Sequence, residues 1–312
     1  MRLVFLGTPE FALPSLERLL AGPDDVVGVY TQPDRPAGRG RAPSASPVKR
    51  FALAHGLPVY QPERLRRPEA IEQLRALLPD CLIVAAYGQI LPQAVLDLPK
   101  HGALNLHPSL LPRHRGAAPV AGAILAGDEI TGVTLMLVDA GLDTGPIIAQ
   151  ATLPVAPDDT TAVLTAKLAL LAADLLIMSL PHWFAERLTP RPQDDAQATL
   201  TRQLTIEDRT LDWRQPASVL ERRVRALQPW PEAATTWQGR LLKVLQASVL
   251  PPQAGEPGLV VALPPGGPAP VGVVTGEGVL GLLRVQMEGR RAMAAEEFLR
   301  GARGFVGARL PS

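Results

Sequence analysis

The order of apolar segments in the first part of the chain is the feature that most limits its possible folds. Short apolar runs typical of buried strands alternate with segments whose apolar residues recur at helical spacing. The sequence predicts strands at residues 3–6, 26–30, 58–60, 81–86, 103–106, 133–138 and 147–153. It predicts helices at residues 14–21, 47–55, 68–78, 119–126 and from 160 toward 182. Because this alternation is typical of crossover connections, we expect a doubly wound, mostly parallel α/β sheet.

This pattern changes after a proline- and charge-rich segment that begins near residue 189. An amphipathic helix is predicted over residues 217–227, and we expect its Arg222, Arg223 and Arg225 to face solvent. Short strands are predicted at residues 235–237, 241–247, 259–262, 271–275 and 279–285. Short strands separated by glycine-containing turns are typical of a small β-barrel. We therefore expect a first domain over residues 1–188, a linker over 189–205 and an OB-like β-barrel domain over 206–312.

Composition narrows the class of protein and its surroundings. The 312 residues, 46% apolar and 20% charged, are enough for two domains with sizeable cores. No uninterrupted apolar run approaches the ~20 residues of a membrane helix, and the first residues do not resemble a signal peptide. Cys81 is the single cysteine, and we expect it in the core because it opens an apolar strand. These features favour a cytoplasmic protein that has no membrane partner.

Polar side chains follow two of the predicted strands. Asn105 and His107 lie at the end of one strand, and Asp143 lies in a later acidic turn shaped by Gly141 and Gly145. We expect the amide, the imidazole and the carboxylate to meet at the carboxyl ends of these strands, where open α/β sheets place ligands. Each residue alone is ordinary in a turn. Together they fit acyl transfer, with Asn105 donating to an oxyanion, His107 carrying a proton and Asp143 orienting His107.

The common cofactor motifs do not match this chain. The first strand leads into Gly7-Thr8-Pro9-Glu10, without the glycine pattern of a dinucleotide or nucleotide phosphate cradle. Pro9 also removes one backbone amide from such a cradle, so we expect no nicotinamide, flavin or ATP. The seven-residue spacing of His107 and His114 in a proline-rich loop is a weak metal signal, and we expect no metal.

A long basic loop follows the second predicted strand. Residues 31–41 carry Arg35, Arg39 and Arg41, separated by glycine and proline. Such a loop is either a solvated surface feature or a clamp for phosphate groups beside the pocket. Its position just past the end of a strand favours the clamp.

Several stretches together resemble the folate-dependent formyltransferases, and among them the methionyl-tRNA formyltransferases, over nearly the whole chain. They are FLGTPEF (5–11), TQPDRPAGRG (31–40), AYGQILP (86–92), NLHPSLLP (105–112), RGAAP (115–119), GLDTG (141–145), LDW (211–213) and RALQPWP (225–231). The Asn-x-His and LDTG elements are shared across the folate-dependent enzymes and indicate the chemistry. The basic loop and the second domain indicate the acceptor. Pro108 departs from the pattern, since many relatives have glycine there.

The resemblance implies a Rossmann-like formyltransferase domain and a specific reaction. A formyl group passes from 10-formyltetrahydrofolate to the α-amino group of methionyl initiator tRNA, giving N-formylmethionyl-tRNA for translation initiation. Asn105, His107 and Asp143 are then the catalytic residues. The implied folate contacts are Tyr87, Gly88, Gln89, Ile90, Leu91, Ser109, Leu110, Leu111, Pro112, Val138 and Asp139. The expected tRNA contacts are Arg35, Arg39, Arg41, Arg222 and Arg225, and no obligate protein partner is evident.

Two alternatives remain open on the sequence alone. A formyltransferase with a small amine acceptor, such as glycinamide ribonucleotide or an aminosugar nucleotide, would keep the trio but would need neither the basic loop nor a basic second domain. A catalytically inactive nucleic-acid-binding module on the same scaffold is the second alternative. The intact trio of Asn105, His107 and Asp143 weighs against it.

Overall fold

The computed structural model describes residues 1–37 and 42–312, which divide into two units. The first unit comprises Met1–Pro119, Ile130–Pro154 and Thr165–Thr201. The second comprises Val120–Glu129, Val155–Leu164 and Arg202–Ser312. Two short segments that precede residue 165 therefore belong to the second unit. The early part of the predicted linker, up to residue 201, lies in the first.

Most elements up to residue 201 follow the predicted order. The strands are β1 (Arg2–Gly7), β2 (Asp25–Tyr30), β3 (Arg35–Ala37), β4 (Ala42–Ser44), β5 (Val59–Tyr60), β6 (Cys81–Ala85), β7 (Ala103–His107), β8 (Arg115–Gly116), β9 (Ile130–Leu137), β10 (Ile147–Pro154) and β11 (Leu200–Thr201). The helices are α1 (Leu13–Leu20), α2 (Pro47–Ala54), α3 (Pro68–Ala76), α4 (Gln93–Leu96), α5 (Pro119–Ala126) and α6 (Thr161–Phe184). Ser46 caps α2 as predicted, accepting a hydrogen bond from Lys49 N at 3.0 Å. The sequence did not predict β3, β4, β8, β11 and α4, which are too short to show an apolar period.

The first unit is built on a seven-stranded sheet in the order β10-β9-β7-β6-β1-β2-β5. The strands from β7 to β5 pair in parallel, while β9 and β10 add an antiparallel edge. The mostly parallel sheet is thus confirmed. Strand β6 is buried along its whole length, because central strands of such sheets are covered on both faces. This burial explains the unbroken apolar run at Cys81–Ala85 and confirms Cys81 as a core residue.

The second unit contains the predicted small β domain. Its elements are α7 (Ala217–Ala226), β12 (Ala234–Trp237), β13 (Arg240–Leu250), β14 (Val260–Ala262), β15 (Val271–Val274), β16 (Val279–Met287), β17 (Met293–Ala294) and α8 (Ala295–Gly301). The strands form a six-stranded antiparallel sheet in the order β12-β13-β16-β15-β14, with β17 beside β16. Trp237, Phe298 and Phe305 pack edge to face in its core, with ring centroids 5.1 to 5.8 Å apart.

The arginines of α7 are only partly exposed, whereas the sequence analysis expected them to face solvent. The Arg225 side chain is 15% exposed, because its Nε pairs with Glu221 Oε1 at 2.7 Å and its Nη1 donates to Asp159 O at 3.0 Å. Arg223 donates to the carbonyl of Asp208. Arg222 lies so close to Gly127 that a Cβ there would be 2.9 Å from Nη1. The polar side of α7 is therefore covered by other segments of the second unit, which apolar periodicity could not reveal.

Helix α6 corrects one sequence-based expectation. Among the described residues, it is the single helix long and apolar enough to cross a membrane, judged by length and composition. The search for uninterrupted runs missed it because Lys167 and Asp174 interrupt the apolar sequence. Leu164, Leu168 and Leu176 on this helix are fully buried, as in a core helix.

The burial of Cys81 gives a testable prediction. Burial raises the pKa of its thiol, so little thiolate is present at pH 8 and reagent cannot reach the sulfur. We expect no reaction with a disulfide reagent in the native protein and one equivalent after unfolding. Leu53→Cys adds a thiol at a position that is 56% exposed and should react in the native state. Equal rates for the two thiols of this variant would contradict the core placement.

Candidate active site

Strand β7 carries two of the predicted catalytic residues. His107 is its last residue, and Asn105 lies two positions earlier. Because side chains alternate along a strand, Asn105 and His107 project from the same face of the sheet. Asn105 is half-buried, and within the described part of the chain its side-chain amide has no hydrogen-bond partner. The amide is therefore available to a bound molecule.

The imidazole of His107 is held in one orientation. Its Nε2 lies 3.0 Å from the backbone carbonyl of His114, and a carbonyl can only accept, so Nε2 carries the proton. Nδ1 then faces the Asp143 carboxylate, with Oδ2 at 3.6 Å, which is too far for a direct hydrogen bond. Burial lowers the pKa of His107, against the opposing effect of the Asp143 charge. At neutral pH His107 is therefore uncharged, with a lone pair on Nδ1.

Asp143 reaches His107 by a route that differs from the prediction. Strands β7 and β9 are antiparallel, with His107 beside Thr134 and Leu104 beside Leu137, so their carboxyl ends lie at opposite ends of the pair. The turn between β9 and β10 brings Asp143 back toward His107. Its Oδ2 accepts a hydrogen bond from Gly116 N at 2.8 Å.

The backbone of this turn is tightly constrained. Asp143 has a φ of 53°, a left-handed conformation that costs a non-glycine residue about 1 kcal/mol. A Cβ on Gly145 would lie 1.8 Å from Leu137 O, so the turn requires glycine there, as predicted. The Asp139 carboxylate accepts from Gly141 N at 3.0 Å and from Thr144 Oγ1 at 2.8 Å. Asp139, a predicted folate contact, thus also holds the turn in shape.

Hydrogen bonds hold the predicted folate loop at residues 109–112 in place, and they come from residues that the sequence analysis did not identify. Thr134 Oγ1 donates to Ser109 O at 2.7 Å and accepts from Leu111 N at 3.0 Å. Gln150 Nε2 donates to Leu111 O at 3.0 Å. Ser109 is fully buried and Leu111 is 3% exposed, so this loop presents mainly backbone groups to a ligand. Thr134 and Gln150 are polar residues inside the apolar strands β9 and β10, and this is the sequence signal that could have identified them.

The second predicted folate segment, residues 87–91, follows β6 at the same edge of the sheet. The Tyr87 ring is buried, and its carbonyl accepts from Thr8 Oγ1 at 2.9 Å. The Gln89 side chain is committed to backbone groups of residues 62–65. Ile90 is 89% exposed. The segment is thus a rigid loop with one exposed apolar side chain.

Only part of the basic loop lies within the described residues. Strands β3 and β4 pair as a hairpin, while Arg39 and Arg41 lie outside the described residues. At its base, Asp34 pairs with Lys49 at 2.6 Å and accepts from Gln61 at 2.8 Å, and these hydrogen bonds lower the pKa of Asp34. Arg35 Nη2 donates to the Gln32 side chain at 3.2 Å. Polar contacts therefore fix the base of this hairpin.

Within residues 1–37 and 42–312, no group of three or more His, Cys, Asp and Glu is placed to hold a metal ion. Within this part of the chain, the structure therefore assigns no residues to a metal.

Comparison with known proteins places this site in a family. The family model for formyl transferase matches residues 1–180, and that for the formyl transferase C-terminal domain matches residues 203–303. A methionyl-tRNA formyltransferase of Roseiflexus sp. (strain RS-1) is 50% identical over 99% of this chain and 95% of its own length. A methionyl-tRNA formyltransferase of Chloroflexus aggregans is 51% identical over 96% of this chain and 97% of its own length.

Solved structures share the fold at lower identity. Methionyl-tRNA formyltransferase from Clostridium thermocellum has a TM-score of 0.55 and 15% identity, covering 80% of this chain and 93% of that one. HypX from Aquifex aeolicus in complex with tetrahydrofolic acid has a TM-score of 0.62 and 19% identity, covering 99% of this chain and 48% of that one. These likenesses concern the fold alone. By its family models and its near-full-length relatives, the chain belongs to the formyltransferase family, among the sequences named methionyl-tRNA formyltransferase.

Proposed function

We propose that this protein transfers a formyl group from 10-formyltetrahydrofolate to the α-amino group of methionyl initiator tRNA. One observation carries the chemistry: two proton acceptors, His107 Nδ1 and Asp143 Oδ2, face each other at 3.6 Å beside the amide of Asn105. The relatives named methionyl-tRNA formyltransferase, matched over nearly their full length, support the choice of acceptor. The product is N-formylmethionyl-tRNA, which serves translation initiation.

The facing acceptors suit an incoming ammonium group. An amine attacks only after it loses a proton, and near neutral pH an aminoacyl ester still carries much of its amine as ammonium. An ammonium that approaches Nδ1 and Oδ2 from one side can bridge them and donate one hydrogen to each. Its proton then passes to the His107–Asp143 pair, because burial keeps His107 uncharged until it accepts one. The amine is deprotonated in the position from which it reacts.

The remaining steps use the same residues. The amine nitrogen bonds to the formyl carbon, and the carbonyl oxygen gains the negative charge of a tetrahedral intermediate. The Asn105 amide donates to that oxygen, a contact that strengthens as charge develops. The bond from carbon to N10 of the folate then breaks. The former amine nitrogen loses its second proton to water, and N10 takes the first proton from the His107–Asp143 pair, which regains its starting state. The net reaction starting from the ammonium therefore releases one proton.

The folate contacts remain a proposal based on the family. Residues 87–91 and 109–112 follow strands β6 and β7 at the catalytic edge, residues 138–139 lead into the turn that carries Asp143, and backbone groups of these segments can pair with the polar edge of a pterin. The rigidity of the 109–112 loop, set by Thr134 and Gln150, supports this role. A ligand bound to fixed backbone groups is positioned more accurately than one bound to mobile side chains.

The tRNA contacts are also proposed. Arg35, Arg39 and Arg41 belong to the basic loop, and we propose that they bind phosphates or unpaired bases near the aminoacyl end. Among the arginines of α7, Arg222 is the better candidate for a direct contact. Arg225 is engaged with Glu221 and Asp159, so any contribution to tRNA binding would come through the shape of the second unit.

The identity of the formyl acceptor is tested by supplying charged initiator tRNA and glycinamide ribonucleotide in parallel, with 10-formyltetrahydrofolate as the formyl donor. We expect formyl transfer to the tRNA and none above background to the small amine. Uncharged tRNA is the control, because it lacks the α-amine. Transfer to the small amine alone would establish the alternative of a small-acceptor enzyme, and transfer to neither would leave a binding module.

The catalytic trio gives a second prediction. Asn105→Ala, His107→Ala and Asp143→Ala should each lower turnover by roughly 100-fold or more, the usual scale for an oxyanion donor or a general base. Folding should survive, and far-ultraviolet circular dichroism checks it. His55→Ala removes an exposed histidine on the first unit and should keep wild-type turnover. A trio variant that keeps near-normal turnover would show that its residue has no catalytic role.

The basic loop gives a third prediction. Arg39→Ala should weaken tRNA binding and raise the KM for charged tRNA, while folate binding is unchanged. Removing one phosphate contact also makes the salt dependence of binding shallower, since fewer counterions are released. Arg75→Ala is the matched control, because Arg75 is exposed and pairs only with the neighbouring Glu72. Identical salt curves for Arg39→Ala and wild type would identify the loop as a solvated surface feature.

A further inference from the structure

Part of the predicted linker packs against the catalytic edge of the first unit. Residues 191–201, here called the strap, begin where Arg191 and Ile147 exchange two backbone hydrogen bonds of 2.8 Å. The strap ends where β11 pairs in parallel with β8. A Cβ on Gly116 of β8 would lie 2.2 Å from Thr201 O, so the two backbones are in close contact. The strap therefore borders the turn that carries Asp143.

Gln193 is the strap residue that contacts this turn. Its Nε2 has two hydrogens, and it donates one to Asp143 O at 2.8 Å and the other to Gly145 O at 2.7 Å. Its Oε1 accepts from Nε and Nη2 of Arg115 at 2.9 and 2.8 Å. Carbonyls only accept and guanidinium groups only donate, so the amide fits in one orientation. Gln193 thus links Arg115 to the backbone on both sides of the turn.

Arg115 provides a fixed anchor for this link. It is 6% exposed, and it also pairs with Asp195 of the strap at 2.7 Å. The next residue, Gly116, donates its N–H to Asp143 Oδ2. Asp143 is therefore held at its carbonyl by Gln193 and at its carboxylate by Gly116, and both supports rest on β8.

The strap also supports the other member of the catalytic pair. Thr199 Oγ1 accepts from the backbone N–H of His114 at 2.8 Å, and the carbonyl of His114 receives the Nε2 proton of His107. One segment thus fixes the groups that orient both His107 and Asp143. The left-handed backbone of Asp143 needs such support, since that conformation is unfavourable for a residue with a side chain.

We propose that Gln193 is a positioning residue for Asp143, and that the strap sets the separation of the His107–Asp143 acceptor pair. The proposal rests on the formyl transfer proposed above. Loss of the two donors would let the turn relax, and the carboxylate would leave the position from which it accepts the proton. Small displacements of this kind lower catalysis with little effect on substrate binding.

The test replaces Gln193 with Met, which keeps length and volume but removes the donors. We expect kcat to fall by about 10-fold, with KM for folate and for charged tRNA changed by less than about 2-fold. Gln197→Met is the matched control: Gln197 lies on the same strap, is exposed, and among the described residues its side chain bonds to Asp194 alone. It should keep wild-type kcat and melting temperature. Wild-type kcat in Gln193→Met would overturn the proposal.

A double-mutant cycle separates positioning from general support of the fold. In an Asp143→Asn background, Gln193→Met should cause no further loss of kcat, because the group it positions is already disabled. A second 10-fold loss in that background would overturn the proposal, since Gln193 would then act on something else. If Gln193→Met does not fold, Gln193→Asn replaces it, because this variant keeps the amide on a side chain one carbon too short to reach the turn. The same results then decide the proposal: a loss of kcat in the wild-type background and no further loss in the Asp143→Asn background.

The wild-type enzyme distinguishes this proposal from the proposed function. A wild type that formylates no acceptor would remove the reaction on which the role of Gln193 depends. An active wild type with an unaffected Gln193→Met variant would remove the positioning role alone.

Discussion

The hydrogen bond from His107 Nε2 to the carbonyl of His114 is the interaction on which the site depends. It places the proton on Nε2, so Nδ1 meets the Asp143 carboxylate as an acceptor rather than as a donor. Burial keeps the ring uncharged, which preserves that lone pair near neutral pH. With the proton on Nδ1 instead, His107 would present a donor to the Asp143 carboxylate, and the pair would lack the second acceptor that an ammonium group needs.

Holding the two proton acceptors, His107 Nδ1 and Asp143 Oδ2, at their separation requires support from distant parts of the chain. The antiparallel pairing of β7 and β9 puts their carboxyl ends at opposite ends, so a turn must return to His107. That turn depends on Gly145, on the Asp139 carboxylate and on the left-handed backbone of Asp143. Contacts from β8 and from Gln193 hold it in place. Several segments of the chain together thus determine the position of the Asp143 carboxylate.

Reaction and acceptor recognition use different physical interactions. The reacting groups lie in a buried site where short-range hydrogen bonds are strong because water is excluded. Among the proposed tRNA contacts, Arg35 lies on a strand pair whose base is fixed by Asp34, Lys49 and Gln61. Charge interactions with phosphates are long-ranged and depend on salt. We infer that this division allows the site around His107 and Asp143 to be shaped for chemistry while the proposed arginine contacts bind a large substrate.

The sequence by itself determined the alternating strands and helices and the core position of Cys81, and it singled out the proposed catalytic trio, because apolar periodicity and side-chain chemistry are local properties. The resemblance supplied the reaction. Tertiary structure alone decided how Asp143 reaches His107, which nitrogen carries the proton, and that Gln193 supports the turn. It also decided that Arg225 pairs internally rather than facing solvent. These features join residues far apart in the chain, and hydrogen bonds between such residues leave no periodic signal in the sequence.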